Sequence, residues 1–174
     1  ADSYSPLADQ DYATSSYWGD THLHTNLSTD SYMRGNRLTP DEAYRFARGS
    51  TIKTNSGQQA RLNKPLDFLV IADHANNMGT MQALASDDPD LLRTQKGRQL
   101  HKIMESIKVQ KDQNKSKQLA IDLYNKAGDG LVGDVSFRGS IWEQVTASAD
   151  KYNEPGKFTA FIGFEWSAGE MIRN

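Results

Sequence analysis

The run Pro65-Leu66-Asp67-Phe68-Leu69-Val70-Ile71-Ala72-Asp73-His74 constrains the fold more than any other stretch of the chain. Four consecutive apolar residues, Phe68 to Ile71, suit a strand buried on both faces of a parallel sheet. The run Phe158-Thr159-Ala160-Phe161-Ile162-Gly163-Phe164 has the same character, and Ser16 to Thr25 (SYWGDTHLHT) reads as a third, short strand. Between them lie helical segments. Thr39-Pro40-Asp41-Glu42 combines a capping residue, a first-turn proline and a Glu that closes a capping box, and Gly49 stops that helix. Residues 50–64 are polar and contain glycine, which fits a loop or hairpin. Pro89 to about Ala127 carries a helical pattern rich in Lys and Gln, broken by Gly128-Asp129-Gly130, and a further helix spans about Ser140 to Tyr152. The order β-α-β-α-α-β predicts an α/β fold with a mainly parallel sheet.

A length of 174 residues fits one domain, here 16–174, behind an extended lead-in over 1–15. Sixteen aromatic residues argue against disorder despite a mean hydropathy of −0.70. A net charge of −2 gives no electrostatic footprint for nucleic acid. No run approaches the roughly 20 apolar residues of a membrane-spanning helix, so no membrane partner is expected. There is no cysteine, so any metal must sit on His, carboxylate and water. The polar opening from Ala1-Asp2-Ser3 would suit an exported, processed chain, periplasmic or secreted.

Four histidines are present: His22, His24, His74 and His101. In an extended segment alternate residues point the same way, so His22 and His24 can offer both imidazoles to one ion, with Asp20 at the same parity. Asp73-His74 ends the second apolar strand, and Glu165 stands directly after the third. In parallel α/β folds the carboxyl ends of strands converge on one rim, where sites form. Each feature alone has an ordinary explanation; their conjunction predicts a shared metal site. His101, in the Lys-rich helix, reads as a surface or packing residue. Arg34 and Arg37 could meet an anionic substrate, Arg37 being the favoured contact, or could equally pair with Asp41 or Glu42. Gly128-x-Gly130-x-x-Gly133 has nucleotide-loop spacing but follows a polar helix instead of a strand, so it is rejected as a phosphate cradle.

Trp18-Gly19-Asp20-Thr21-His22-Leu23-His24-Thr25 with Ser28 resembles the first motif of phosphoesterases of the PHP (polymerase and histidinol phosphatase) type. Ala72-Asp73-His74 resembles their second motif and Gly163-Phe164-Glu165 their Gly-x-Glu motif, all in family order. The run Gly35 to Phe46 (GNRLTPDEAYRF) further resembles a little-characterised bacterial branch that often carries export signals. The resemblance spans about Tyr17 to Ser167. It implies a distorted β/α barrel holding two or three divalent ions (Zn, Mn or Fe). By that resemblance His22 and His24 bind one ion, Glu165 bridges and His74 binds the second. Asp30 stands where the family commonly has another His. Asp20 and Asp73 are candidates for ligands or for supports of the ligands.

The family completes its cluster with histidines further along, whereas the nine residues after Glu165 contain none. An eightfold barrel also needs roughly 200 residues or more. The expectation is therefore a partial barrel, the N-terminal portion of its domain, with an open sheet edge prone to self-association. The expected activity is metal-dependent hydrolysis of a small anionic phosphoester by a metal-activated water. Two alternatives stay open: an amidohydrolase-like enzyme cleaving C–N bonds, and a non-catalytic domain that keeps metal as a clip.

Overall fold

The structure, a computed structural model, describes residues 15–128 and 130–166. The expected lead-in over 1–15 lies outside these residues except for Ser15, as do Asp129 of the glycine break and the stretch from Ser167 onward.

Three strands form a parallel sheet in the order β1-β4-β5, with β1 over Gly19–Leu23, β4 over Phe68–Ile71 and β5 over Thr159–Phe161. The apolar run therefore takes the central place, pairing Phe68 with Gly19 on one side and with Thr159 on the other. Leu69 and Ile71 are fully buried while Phe68 and Val70 are half-buried, so β4 alternates and is not sealed on both faces. The covered face packs Leu69, Ile71 and Ala160 against Ala43, Tyr44 and Ala47 of α2 (Pro40–Ala47) and Ala149 of α7 (Val135–Tyr152). On the other face Phe68 meets the half-exposed Phe161 edge to face. The result is a mixed α/β architecture with a parallel sheet; three strands do not close a barrel.

Helix α2 forms as its sequence predicts. Thr39 Oγ1 accepts from Glu42 N–H, Thr39 N–H donates to Glu42 Oε2 at 2.8 Å, and Pro40 opens the first turn. Losing such a cap typically costs about 1 kcal/mol. Thr39→Ala is accordingly expected to lower the unfolding free energy by about that amount in a denaturant titration, with the slope unchanged. Tyr44 packs against Tyr152 of α7, donates to the Phe161 carbonyl at 3.3 Å, and has its hydroxyl pushed up to about 12, first by burial and then by the charge of Asp73. Arg48 pairs with Glu154 at 2.5 Å and Lys151 with Asp41, tying the two helices further.

Residues 50–64 contain a hairpin of β2 (Ile52–Lys53) and β3 (Gln59–Ala60). Two short helices escape the sequence reading: α1 (Thr29–Met33) and α3 (Thr80–Ala85). The pattern over Pro89–Ala127 is not one helix but three: α4 (Pro89–Leu92), α5 (Gln95–Val109) and α6 (Gln113–Gly128). The breaks are written in capping residues. Thr94 accepts from Gly97 N–H, and Asp112 accepts from Asn114 and Lys115 N–H, so each offers the backbone an alternative to continuing the turn. Likewise α7 begins at Val135, not near Ser140, because Asp134 caps it through Phe137 N–H. The final strand is shorter than 158–164 suggests. These helices bury a second core around Leu84, Leu91, Leu100, Leu123 and Phe137. No helix among the described residues is long and apolar enough to cross a membrane.

Candidate metal centre

The sheet brings the three strand ends to one rim. Beyond β4 and β5 the ladder continues as an isolated bridge between His74 and Glu165, held by Glu165 N–H to the Asp73 carbonyl and Ala75 N–H to the Glu165 carbonyl. Extended backbone sends successive side chains to opposite sides. His74 therefore joins Glu165, whereas Asp73 turns beneath the loop that follows β1. The β1–β4 register is irregular between Asp20 and Leu23, the stretch that carries His22.

Glu165 Oε2 is the hub. It lies 3.0 Å from His24 Nε2, 3.4 Å from His22 Nε2 and 3.3 Å from His74 Nδ1. The His22 and His24 Nε2 atoms are 3.1 Å apart. Bonds of about 2.0–2.1 Å to a tetrahedral ion place neighbouring ligand atoms roughly 3.3 Å apart, so this trio has the separations that such an ion requires. A second group overlaps it: His74 Nε2 lies 3.4 Å from Asp30 Oδ1, and His24, Asp30 and His74 also gather within ion-binding distance. His22 is well exposed, while His24, Asp30, His74 and Glu165 are each about a quarter exposed, as an open rim site demands. The donor set of imidazole and carboxylate suits Zn, Mn or Fe.

The other candidates separate. Asp20 accepts from His22 N–H at 2.8 Å, a local turn contact, and joins neither group. Asp73 is buried, and its oxygens accept from Thr25 N–H (2.6 Å), Thr25 Oγ1 (2.6 Å) and Ser28 Oγ (2.9 Å). Arg37 stacks over the Tyr32 ring, 3.7 Å from its centroid, and donates to the Tyr32 and Asn36 carbonyls. Arg34 is the freer of the two arginines; it reaches Asp30 at 3.8 Å and lines an open hollow of about 440 Å³ with His24, Asp30, Ser31, Asn36 and Asn55. Asp41 pairs with Lys151 and Glu42 with Thr39, and neither with Arg34 or Arg37. His101 sits apart, 2.7 Å from Asp87. The glycines of the rejected nucleotide-loop spacing serve the turn into α7, where Gly130 and Gly133 take positive φ.

The sequence reading offered Asp73 as a support but assigned no such role to Ser28 or Asn36. Ser28 Oγ contacts His24 Nδ1 at 2.8 Å, and Asn36 Nδ2 donates to the His24 carbonyl at 3.3 Å. The available signal was a pair of hydroxyl residues, Thr25 and Ser28, directly behind His24. A second, apolar hollow of about 230 Å³ adjoins the rim, lined by Ala75, Met78, Arg138, Ile141, Trp142 and Phe164.

No curated protein matches the chain, and no solved structure does. The profile of one family matches residues 11–174, nearly the whole length, and the chain therefore belongs to the family described as "Protein of unknown function (DUF3604)".

Proposed function

We propose that this chain is the metal-binding portion of a hydrolase that cleaves small anionic phosphoesters. The observation that carries the reading is the convergence of three histidine nitrogens, from the ends of two strands, on a single carboxylate oxygen from the end of a third. Three nitrogen donors around one anionic oxygen at 3.0–3.4 Å form a cage for a cation. The resemblance of the three motifs to PHP phosphoesterases supports the same reading, and with it a barrel-type fold and an exported location.

When bound, divalent ions would supply an acidified water and positive charge for the oxygens of the phosphoryl group. The chain's own residues supply the rest. Glu165, with one oxygen facing His22, His24 and His74, would supply the negative charge that holds a cation beside these rings. His22 and His24 would hold one ion with Glu165, and His24, His74 and Asp30 could hold another. Arg34 lies at the mouth of the hollow beside Asp30, where a guanidinium can take two oxygens of an anion at once. Arg37, committed to Tyr32 and two carbonyls, is the weaker choice for that role.

Elemental analysis of untagged protein, with hydrolysis of a generic phosphomonoester and phosphodiester after loading with Mn or Zn, tests the reading. One to two equivalents of metal and metal-dependent turnover are expected. Bound metal without turnover on any phosphoester would favour the clip. Protein that stays metal-free after reconstitution sinks the proposal.

A further inference from the structure

We propose that Ser28, anchored by the buried carboxylate of Asp73, is a positioning residue that locks His24 in its Nδ1–H tautomer and aims the bare Nε2 at Glu165. This deepens the metal-centre reading, on which its consequence for affinity rests.

The argument is an inventory of hydrogens. Ser28 is fully buried, and its Oγ has three neighbours: His74 N at 3.0 Å, Asp73 Oδ1 at 2.9 Å and His24 Nδ1 at 2.8 Å. A hydroxyl offers one hydrogen and two lone pairs. The His74 backbone N–H can only donate, so it occupies one lone pair. The Asp73 carboxylate can only accept, so it takes the single hydrogen. One lone pair is left for His24, whose Nδ1 must therefore carry the proton. Asp73 cannot escape the arrangement, because Thr25 N–H and Thr25 O–H hold its oxygens in place at 2.6 Å each. The same Thr25 Oγ1 accepts from Leu27 N–H at 3.2 Å, so its hydrogen too is directed at Asp73.

Two consequences meet at the rim. With Nδ1 protonated, the neutral His24 ring turns a lone pair toward Glu165 Oε2 at 3.0 Å, where two acceptors face each other. Such a gap calls for a positive charge between them. The same Ser28 hydroxyl also holds the backbone of His74, so one buried group fixes a ring from the end of β1 and the chain that carries a ring from the end of β4. Partners of this kind behind a ligating histidine are commonly worth 10–100-fold in metal affinity.

The test is Ser28→Ala, with Asp73→Asn as its counterpart. In Asp73→Asn the amide oxygen can keep Thr25 N–H and Ser28 O–H while the amide nitrogen donates to Thr25 Oγ1, so the lock should survive. Two-dimensional ¹H–¹⁵N spectra of the imidazoles in metal-free protein, at a pH where His24 is neutral, read the tautomer directly. Wild type and Asp73→Asn are expected to show His24 protonated on Nδ1. Ser28→Ala should lose that preference and move toward Nε2–H, the form histidine side chains favour in water. Competition titration with zinc alone should then show affinity reduced about 10–100-fold in Ser28→Ala. His24 found as Nδ1–H in Ser28→Ala, or as Nε2–H in wild type, overturns the proposal. Wild type that binds no zinc overturns the metal reading while the tautomer result still decides the lock. Should Ser28→Ala not fold, Ser28→Cys, of nearly the same shape but a weak donor and acceptor, gives the same readout.

Discussion

Glu165→Ala is expected to remove metal binding at the His22–His24–Glu165 group, where loss of His22 removes only part of it. Its Oε2 stands within 3.0–3.4 Å of nitrogens from His22, His24 and His74, so one substitution withdraws the anionic member of the first group and leaves Asp30 as that of the second. The affinity loss should exceed the roughly 10–100-fold that follows removal of a mere supporting hydrogen bond. His22→Ala, by contrast, removes the most exposed nitrogen and leaves His24, His74, Asp30 and Glu165 in place. The backbone contacts of Glu165, from its N–H to Asp73 and from Ala75 to its carbonyl, do not depend on the side chain. The metal-free variant should therefore melt within a degree or two of the metal-free wild type. At 100 times its Kd a ligand that binds the folded state alone adds about 2.7 kcal/mol. For a domain of this size that is roughly 5–10 °C of added Tm, a rise that wild type should show in full and Glu165→Ala should largely lose. Thermal melts with and without added zinc measure it. An equal rise in both proteins would place the metal elsewhere, with the group of Asp87, His101 and Glu105 the next to examine.

Which parts of this arrangement were legible in the sequence follows from what each part depends on. The strands were legible because Phe68 to Ile71 is a dense apolar run and because Asp73, His74 and Glu165 sit where such runs end. The α2 boundary was legible because Thr39, Pro40, Glu42 and Gly49 each act within one turn of themselves. The splitting of the segment Pro89–Ala127 was not, although Thr94 and Asp112 mark the breaks, because a cap changes one turn whereas the Lys- and Gln-rich composition favours helix throughout. Five- and six-residue helices such as α1 and α3 carry too few turns for a periodic signal. At the rim, spacing and parity brought out His22 and His24, but parity also promoted Asp20, whose side chain is spent on the His22 N–H. Asp73 and Arg37 show the limit most clearly. Both are charged residues beside the right motifs, yet one is turned under the loop by strand alternation and the other is held by an aromatic ring and two carbonyls. The partners of Asp73, Thr25 and Ser28, lie 48 and 45 residues away, beyond any local pattern, and those of Arg37, though five and one residues off, are a ring face and backbone carbonyls that no motif marks.

Phe137→Ala is expected to be the most destabilising core substitution of its kind, at about 3–5 kcal/mol. The ring is fully buried at the start of α7, among Leu84, Leu91, Leu100, Leu123 and Val132. It also lies so close to Gly133 that a Cβ there would fall 2.2 Å from the ring, so the aromatic edge occupies the space that Gly133 leaves open, and at φ +78° that position resists a side chain in any case. Alanine cannot refill that volume, and five separate helices would have to shift to close it. Against a total stability of about 5–15 kcal/mol this is roughly a fifth of the fold or more. The expected fall in Tm is roughly 6–20 °C. The site should feel it unevenly. Tyr32 and Met33 of α1 pack against this helical core, and α1 also carries Asp30, whereas His22, His24, His74 and Glu165 are placed by the sheet and its own separate core. Loosening the helical core should therefore weaken the His74–Asp30 position more than the His22–His24–Glu165 trio, read as loss of the weaker of two zinc-binding steps with the tighter one preserved. A variant that unfolds at the wild-type temperature would mean that the helical core contributes little to the cooperative unit. Equal loss of both binding steps would mean that the helical core and the sheet loosen together as one unit.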